Sequence, residues 1–281
     1  MNLIEKQILE GERALFNSKN LKVVECRFKN GESPLKESTN IEVVNSSFSW
    51  KYPLWYGKNI KVKDCFFDEM ARSGIWNTDS ITLENCKVFA PKTFRRSSNI
   101  KVFDSELVGG AETLWSCNNV TLKNVKAEGD YFLMNSTNVE IDSLIIDGNY
   151  ILDGAKNVVV RNSILNSKDS FWNCENVKVI NCKIVGEYIG WNSKNITFED
   201  CDIESHQGFC YIQKLTLKNC KLTNTDLAFE YSTVNADINS KVDSIKNPTS
   251  GTISCEGYGE LIMEPDKVDV RKTKIIVKGK I

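Results

Sequence analysis

The chain lacks an excess of charge of either sign. Its 281 residues carry 36 Lys and Arg against 37 Asp and Glu, a formal net charge of −1 with the single histidine neutral. Proteins that bind nucleic acid or anionic membranes electrostatically concentrate basic residues on one surface, whereas the charges here are interspersed. We therefore expect neither nucleic acid nor a membrane among its partners.

Long apolar runs are also missing. No stretch approaches the length of a membrane span, and the opening residues MNLIEKQILEGER lack the basic start and long apolar centre of a secretory signal. The ten cysteines include no C-x-x-C pair, so neither a zinc site nor a disulfide framework is indicated. These absences predict a cytoplasmic protein with reduced thiols, no metal and no cofactor.

What the sequence has instead is an internal repeat. The unit N-(I/V/L)-x-(V/L)-x-(N/D)-C-x-(F/I/L) recurs, for example in SKNLKVVECRF, GKNIKVKDCFF, ENVKVINCKI and KNITFEDCDI. Short alternating runs rich in Val, Ile and Phe, bounded by Asn, Asp, Gly and Ser, indicate strands and turns rather than helices. The first apolar residues of the units are Leu21, Ile41, Ile60, Ile81, Ile100, Val120, Val139, Val158, Val177, Ile196, Leu215 and Val234. An all-β repeat of this kind predicts a single-stranded parallel β-helix of about 12 coils, with 19 to 21 residues per coil.

The two ends of the chain depart from this period. Residues 1–14 precede the first unit, and we predict that they cap the N-terminal end of the core, which an open solenoid would expose. The β-helix itself is predicted over residues 15–239. Residues 240–281 lose the repeat and are predicted to form C-terminal strands and a second cap.

In a β-helix, equivalent positions of successive coils lie above one another at the inter-strand spacing of about 4.8 Å. Asparagine precedes the first strand in nine of twelve units, which predicts an internal ladder of hydrogen-bonded amides. Most cysteines stand five residues after the first apolar residue, where a small apolar side chain fits a narrow corner. We interpret both columns as structural.

Tryptophans recur five residues before the first apolar residue of the units. This column consists of Phe16, Lys36, Trp55, Trp76, Arg95, Trp115, Met134, Asp153, Trp172, Trp191, Cys210 and Phe229. Charges such as Lys36, Arg95 and Asp153 are costly to bury, so the column is predicted to face solvent or a groove. A row of exposed aromatic rings favours ligand binding. The alternative is a packing ladder covered by a terminal segment.

A charged and phenolic column lies eight to nine residues before the first apolar residue. It places Glu112 beside Asp130, and Asp169 beside Glu187, in adjacent coils, close to the carboxylate separation of retaining glycosidases. The candidate catalytic residues are Glu112, Asp130, Asp153, Asp169, Glu187 and His206, the last with Cys210 nearby in sequence. The candidate ligand-binding residues are Trp55, Trp76, Arg95, Trp115, Lys168, Trp172 and Trp191. The alternative is that Lys92, Arg95, Arg96 and Lys168 pair with the carboxylates in a surface network.

The blocks WKYPLWY, PKTFRRS, SKDSFWNCENV, GEYIGWNSKNI and ESHQGFCYI resemble the bacterial domain-of-unknown-function family 3737, over nearly the whole chain. The resemblance implies the right-handed β-helix of the pectate-lyase-like superfamily, but it carries no established activity or catalytic residues. The chain has no Asp-Asp dyad or His-Gly segment of the polygalacturonase type. It also has no Asp-rich calcium cluster of the lyase type.

Two functions remain open on this evidence. In the first, the groove binds or processes a carbohydrate-like ligand, with hydrolysis, lysis or isomerisation as the reactions that aromatic rings beside carboxylates would suit. In the second, the protein is a non-catalytic scaffold whose tryptophan stripe docks a protein partner or a second copy, forming a homodimer through the aromatic face. The sequence does not decide whether the protein is an enzyme.

Overall fold

A computed structural model describes residues 1–279 of the chain. Apart from two 3₁₀ turns, Glu69–Ala71 and Val270–Lys272, its regular structure consists of β-strands. The chain divides into two compact units, the first Met1–Asp147 and the second beginning at Gly148. Residues 280 and 281, which end the predicted C-terminal segment 240–281, lie outside the described residues.

The first unit is a stack of parallel coils. Its strands are β1 (Asn2–Glu5), β2 (Ile8–Leu9), β3 (Lys19–Val24), β4 (Arg27–Phe28), β5 (Thr39–Val44), β6 (Ser47–Phe48), β7 (Lys58–Lys63), β8 (Phe66–Phe67), β9 (Ile75–Trp76), β10 (Asp79–Glu84), β11 (Lys87–Val88), β12 (Phe94–Arg95), β13 (Ser98–Leu107), β14 (Asn118–Glu128) and β15 (Thr137–Asp147). The longest ladder runs β1, β3, β5, β7, β10, β13, β14, β15, with every pair parallel. Ile60 pairs with Ile41 on one side and Ile81 on the other, so the repeat positions are in register.

The second unit repeats this arrangement. Its strands are β16 (Lys156–Arg161), β17 (Ile164–Asn166), β18 (Glu175–Ile180), β19 (Lys183–Glu187), β20 (Lys194–Glu199), β21 (Asp202–His206), β22 (Gln213–Thr223), β23 (Thr233–Ile238), β24 (Lys241–Lys246), β25 (Ser250–Cys255), β26 (Gly257–Ile262) and β27 (Thr273–Val277). Its first ladder runs β16, β18, β20, β22, β23, β25, β27, and a second joins β17, β19, β21 and β22.

The prediction of an all-β parallel β-helix is confirmed, with about 15 coils of roughly 19 residues rather than the 12 counted from the repeat. The additional coils belong to β1 near the N-terminus and to β25 and β27 near the C-terminus. Their strands pair in parallel like the others, although their sequences lack the asparagine that precedes the first apolar residue of the repeat. The backbone ladder therefore extends further than the side-chain pattern that identifies it.

Inward-facing residues of equivalent position stack on one another to form the core of each unit. In the first unit, the buried rings of Phe28, Phe48 and Phe67 lie 4.7 Å apart, centroid to centroid, in successive coils. In the second, Phe209 and Phe229 stack at 5.6 Å. Removing this apolar surface from water is the main contribution to the stability of the fold, and each coil adds its own buried residues to it.

The asparagine ladder is present, but it lies at the exposed beginnings of strands rather than inside. Asn195 Nδ2 donates to Asn176 Oδ1 at 2.8 Å, and Asn176 Nδ2 donates to Asn157 Oδ1 at 3.1 Å. Asn176 has a φ of 57°, in the left-handed region that asparagine tolerates better than most side chains. The repeat therefore selects asparagine for its backbone conformation as well as for its amide.

The cysteines pack as small apolar side chains. All ten are buried and free. Burial is the main cause that raises the pKa of Cys65 to about 12 and that of Cys117 to about 12. Thiolates at these positions are therefore scarce near neutral pH.

Candidate functional site

The tryptophan column of the first unit is half-buried and tightly stacked. The rings of Trp55 and Trp76 lie 5.2 Å apart with an angle of 11° between their planes. The guanidinium of Arg95 follows, 4.9 Å from the ring centre of Trp76 and 4.6 Å from that of Trp115. Strands β9 and β12 pair in parallel and fix this order. The ring faces in this column are largely covered by one another and by Arg95.

Glu112, a predicted catalytic residue, is engaged by two cations. Its Oε1 lies 3.3 Å from Lys92 Nζ, and its Oε2 accepts a hydrogen bond from Arg95 Nη2 at 2.8 Å. Its backbone N–H donates to Asp130 O at 2.8 Å, so the two carboxylates do lie in adjacent coils as predicted. The cation pairing matches the surface-network alternative rather than an acid pair.

Indole N–H groups are used to fix the rings in place. Trp76 Nε1 donates to Lys92 O at 3.0 Å, and Trp172 Nε1 donates to Tyr188 O at 2.8 Å. Trp55 Nε1 likewise donates to Ser73 O. A ligand at these three rings would meet carbon edges that are held rigidly by the neighbouring backbone.

The second unit carries an aromatic column of its own, defined here as Trp172, Trp191, Tyr211 and Tyr231. Successive ring centroids are 6.0, 4.7 and 5.4 Å apart, and the planes are inclined by 30°, 48° and 41°. These angles are larger than the 11° of the Trp55–Trp76 pair, so the rings overlap less completely. Tyr211 is 42% exposed.

Tyr211 and Tyr231 were missed by the sequence alignment. Cys210, the residue predicted for the column, does follow Trp191 in the backbone, since Asn192 N donates to Cys210 O at 3.2 Å. Its side chain is fully buried, however, and the next residue supplies the exposed ring. In the following coil, Tyr211 N donates to Glu230 O at 2.8 Å, one residue later than the period places it. The change of register therefore lies between the coils of Tyr211 and Tyr231, whereas Tyr211 keeps the period and stands one residue after the column position.

A polar groove of about 460 Å³ runs beside this column. It is lined by Lys168, Val185, Gly186, Glu187, Glu204, His206, Asn224 and Asp226. Strands β19 and β21 pair Glu187 with His206, so their side chains are neighbours. The groove contains two side-chain pairs in successive coils: Lys168 Nζ lies 3.4 Å from Glu187 Oε2 in an ion pair, and His206 Nδ1 lies within hydrogen-bonding distance of Asp226 Oδ1, at 2.7 Å. Hydrogen bonding to Glu187 is the main cause that raises the pKa of Lys168.

Tyr188 connects the polar groove to the aromatic column. Its ring centroid lies 5.9 Å from that of Trp191, at 86°, and 6.0 Å from that of His206, at 71°. Among the residues that line the groove, Asn224 Nδ2 donates to Glu204 Oε1 at 2.9 Å. The structure thus brings together three predicted site residues of the groove, Lys168, Glu187 and His206, with the tryptophans of the second unit.

Asp169 behaves differently from the other candidate carboxylates. It is only 3% exposed, whereas Glu187, its predicted partner, lies at the surface in the ion pair with Lys168. Burial is the main cause that raises the pKa of the Asp169 carboxyl, and a hydrogen bond from Tyr150 opposes the shift. The hydroxyl of the adjacent Ser170 is buried and has no partner within residues 1–279. Asp169 and Glu187 therefore do not form a surface acid pair.

The remaining candidates are held by structural contacts. Asp153 Oδ1 accepts a hydrogen bond from Asn173 Nδ2 at 2.8 Å, within a turn ladder that continues to Asn192. Cys210 Sγ lies 3.3 Å from Gln207 O, and burial raises the pKa of this thiol to about 12. Cys210 is therefore not an activated nucleophile for His206, whose partner is Asp226.

Neither a metal cluster nor a spanning helix is part of the described structure. Within residues 1–279, no group of three or more His, Cys, Asp and Glu side chains is arranged to hold a metal ion. In the same range, no helix has the length and apolar character needed to cross a membrane.

The fold and this surface define a parallel β-helix protein with an aromatic column beside a polar groove. A family profile with the description "Protein of unknown function (DUF3737)" matches residues 2–276. The chain belongs to this family, which confirms the resemblance seen in its sequence blocks.

Solved structures give more distant likenesses. PfbA, a surface adhesin of Streptococcus pneumoniae, is 10% identical with a TM-score of 0.43, covering 88% of this chain and 82% of that one. The periplasmic alginate epimerase AlgG is 11% identical with a TM-score of 0.37, covering 92% and 76%. The A-module of the mannuronan C-5 epimerase AlgE4 of Azotobacter vinelandii is 7% identical with a TM-score of 0.31, covering 99% and 88%. No curated protein matches the chain.

Proposed function

We propose that this protein binds an oligosaccharide in its second unit, along the aromatic column and the polar groove. The observation that carries the proposal is the adjacency of the two surfaces through Tyr188, whose ring contacts both Trp191 and His206. Sugars present apolar C–H faces and hydroxyl groups on the same ring. A surface that binds them needs aromatic carbon beside hydrogen-bonding groups, which is the arrangement found here.

The periodicity of the coils supports an extended ligand. Trp172, Trp191 and Tyr211 belong to successive coils, as do Glu187 and His206. The coil spacing of about 4.8 Å is comparable to the length of one sugar ring in an extended chain. Successive rings of an oligosaccharide would therefore meet an aromatic side chain and a polar side chain in each coil.

The second unit suits this role better than the first. In the first, the side chains of Arg95 and Glu112 are 23% and 30% exposed and are paired with each other. In the second, His206 and Asp226 also contact each other, but their side chains are 47% and 42% exposed and line the groove. Polar groups that keep half their surface in contact with water can still donate to or accept from a ligand hydroxyl.

The proposal is one of binding and assigns no reaction. Among the carboxylates predicted as catalytic, Glu112 and Glu187 are held in salt bridges, and Asp153 accepts from a turn asparagine. The ligand hydroxyls would be met by the groove carboxylates Glu204 and Asp226, which contact Asn224 and His206 through Oε1 and Oδ1.

The test is a binding screen with neutral, amino and uronic tetrasaccharides to hexasaccharides, measured by microscale thermophoresis. We expect at least one class to bind the wild-type protein, and Trp191→Ala and Tyr211→Ala to weaken binding by about five- to ten-fold each, the effect of losing one aromatic contact. Trp76→Ala is the matched control, since Trp76 belongs to a similar stack in the first unit.

Two results would count against the proposal. One is the absence of binding by any oligosaccharide to the folded wild-type protein. The other is binding that Trp76→Ala weakens as much as Trp191→Ala does, because the ligand would then not be confined to the second unit.

A further inference from the structure

The first unit carries an apolar surface that is separate from both aromatic columns. It lies beside the 3₁₀ turn Glu69–Ala71, where the step from Ile60 to Ile81 is the longest in the repeat. Three side chains there are strongly exposed: Phe66 at 40%, Met70 at 36% and Val108 at 36%. Contiguous exposed apolar side chains on a folded domain mark an interaction surface more often than scattered ones do.

The surface contains a ridge and a depression side by side. The ridge is the 3₁₀ turn with Met70 at its centre. The depression is a groove of about 460 Å³, lined by Glu69, Met70, Arg72, Phe89, Pro91, Val108, Gly109, Ala111, Glu128 and Gly129. Gly109 and Gly129 allow the backbone segments around the depression to approach closely, because a Cβ at Gly109 would lie 1.8 Å from Phe89 O and one at Gly129 would lie 2.2 Å from Ala111 N.

The charges at the edge of the groove are of both signs. Glu69, Arg72 and Glu128 are exposed, and none of them has an ion-pair partner within residues 1–279. Arg72 lies on the ridge side and Glu128 on the side of the depression, next to Gly129. The surface therefore presents a positive and a negative group at different places along one apolar groove.

We propose that this surface pairs with the same surface of a second copy, related by a two-fold axis. A two-fold contact brings each surface against itself, so a ridge and a depression on one surface become complementary pairs across the interface. Met70 of each copy enters the Gly109–Gly129 depression of the other, and Arg72 of each copy approaches the other's Glu128. The exposed Phe66 and Val108 lose contact with water in the same step.

This pairing differs from the homodimer predicted through the tryptophans. In the described structure, Trp55, Trp76 and Trp115 are already half-covered by one another and by Arg95. At the apolar groove, in contrast, Met70 and Val108 remain exposed, as does Phe66, whose ring lies 5.4 Å from that of the lining residue Phe89. Burying apolar surface would therefore stabilise a contact at the groove more than one at the tryptophans.

The experiment measures the mass of the wild-type chain and its variants by sedimentation equilibrium over a range of concentrations. We expect a monomer–dimer equilibrium for wild type, weakened about ten-fold or more by Met70→Glu, since truncating or charging a central interface residue has effects of this size. Ile164→Glu, at an apolar residue of the second unit that is 39% exposed, is the control and leaves the equilibrium unchanged.

A charge swap distinguishes the proposed two-fold pairing from non-specific association of apolar surfaces. Arg72→Glu alone places like charges opposite each other and weakens the dimer, and Arg72→Glu combined with Glu128→Arg restores it. A wild-type chain that stays monomeric at the highest concentration overturns the proposal. So does a dimer that persists in Met70→Glu but dissociates in Trp191→Ala, because the contact would then run through the aromatic column. Circular dichroism of each variant confirms that the fold is retained.

Discussion

Asp169 accepts a hydrogen bond from the phenol of Tyr150 in the preceding coil, and only 3% of the residue remains exposed. Most residues at the equivalent position of other coils have positive φ and partly exposed side chains, as Tyr131 and Tyr150 do. Asp169 has neither a positive φ nor an exposed side chain, so its carboxyl group points into the interior of its unit. A carboxyl group in this setting makes stability depend on pH.

The first prediction concerns this dependence. Burial holds the pKa of Asp169 above its ordinary value of 3.8, so the native state binds the proton more tightly than the unfolded chain does. The protein therefore loses stability as the pH rises from the unfolded pKa to the folded pKa. Asp169→Asn removes the loss while keeping an acceptor for Tyr150, and we expect its Tm to exceed that of wild type by more at pH 7 than at pH 3. Thermal unfolding followed by circular dichroism measures this.

Asp202→Asn, at an exposed carboxylate on β21, is the control for that experiment. Its Tm difference from wild type should change little between the two pH values. If the Tm of Asp169→Asn differed from that of wild type by the same amount at both pH values, the pKa of the Asp169 carboxyl would not be raised in the folded protein.

The second prediction concerns the asparagine ladder. Asn176 has a φ of 57° and exchanges hydrogen bonds with Asn157 and Asn195. Asn176→Gly loses the hydrogen bonds, whereas Asn176→Ala loses them and also places a Cβ in the left-handed region. We expect the alanine variant to be less stable than the glycine variant by about 1–2 kcal/mol, the cost of that conformation. Urea denaturation of both, with Lys178→Ala as a strand control, gives the comparison, and equal midpoints would contradict it.

The third prediction concerns the core of the second unit. Phe198 is fully buried, and its ring lies 5.9 Å from that of Phe171 and 5.6 Å from that of Phe209. Phe198→Ala leaves a cavity between coils that cannot close without moving the ladder, so we expect a loss of about 3–5 kcal/mol in the free energy of unfolding. Ile164→Ala, at an exposed residue of the same unit, should cost far less. Comparable losses for the two variants would mean that the core relaxes around the cavity.

The fourth prediction concerns the thiols. All ten cysteines are buried, and burial raises the pKa of Cys65, Cys117 and Cys210 to about 12. We expect almost no reaction with Ellman's reagent at pH 8 in the native state, and the release of ten equivalents of thionitrobenzoate in guanidinium chloride. Rapid native labelling of even one thiol would reveal an opening of the coil at that position.

The coil architecture could be predicted because a β-helix requires the same kind of residue at the same level of every coil. Ile41, Ile60 and Ile81 pair directly, as their common position in the repeat implies. The additional coils were not predicted because backbone hydrogen bonds can continue a ladder where the side-chain repeat is no longer present. Strands β25 and β27 are paired in this way. Periodicity in a sequence reports side chains, whereas the ladder is made by the main chain.

The candidate site was predictable only in part, for the same reason. Trp172, Trp191 and His206 follow the period and were identified. Asp226 lines the groove after a one-residue change of register between the coil of His206 and its own, and Tyr211 stands one residue after the position that holds Trp191. An alignment of one column at fixed spacing therefore omits both. Nor does spacing distinguish a carboxyl that points outward from one, such as Asp169, that the local backbone turns inward.

The coil-to-coil bonding also has a mechanical consequence. Strand β18 is hydrogen-bonded to β16 on one side and β20 on the other, so a coil within the second unit is secured only by the coils directly before and after it. Tension applied along the stack would therefore peel coils away in sequence instead of shearing a whole sheet at once. Each coil of roughly 19 residues would release about 60 Å of chain. The second unit would therefore lengthen in discrete steps, one for each coil that unfolds.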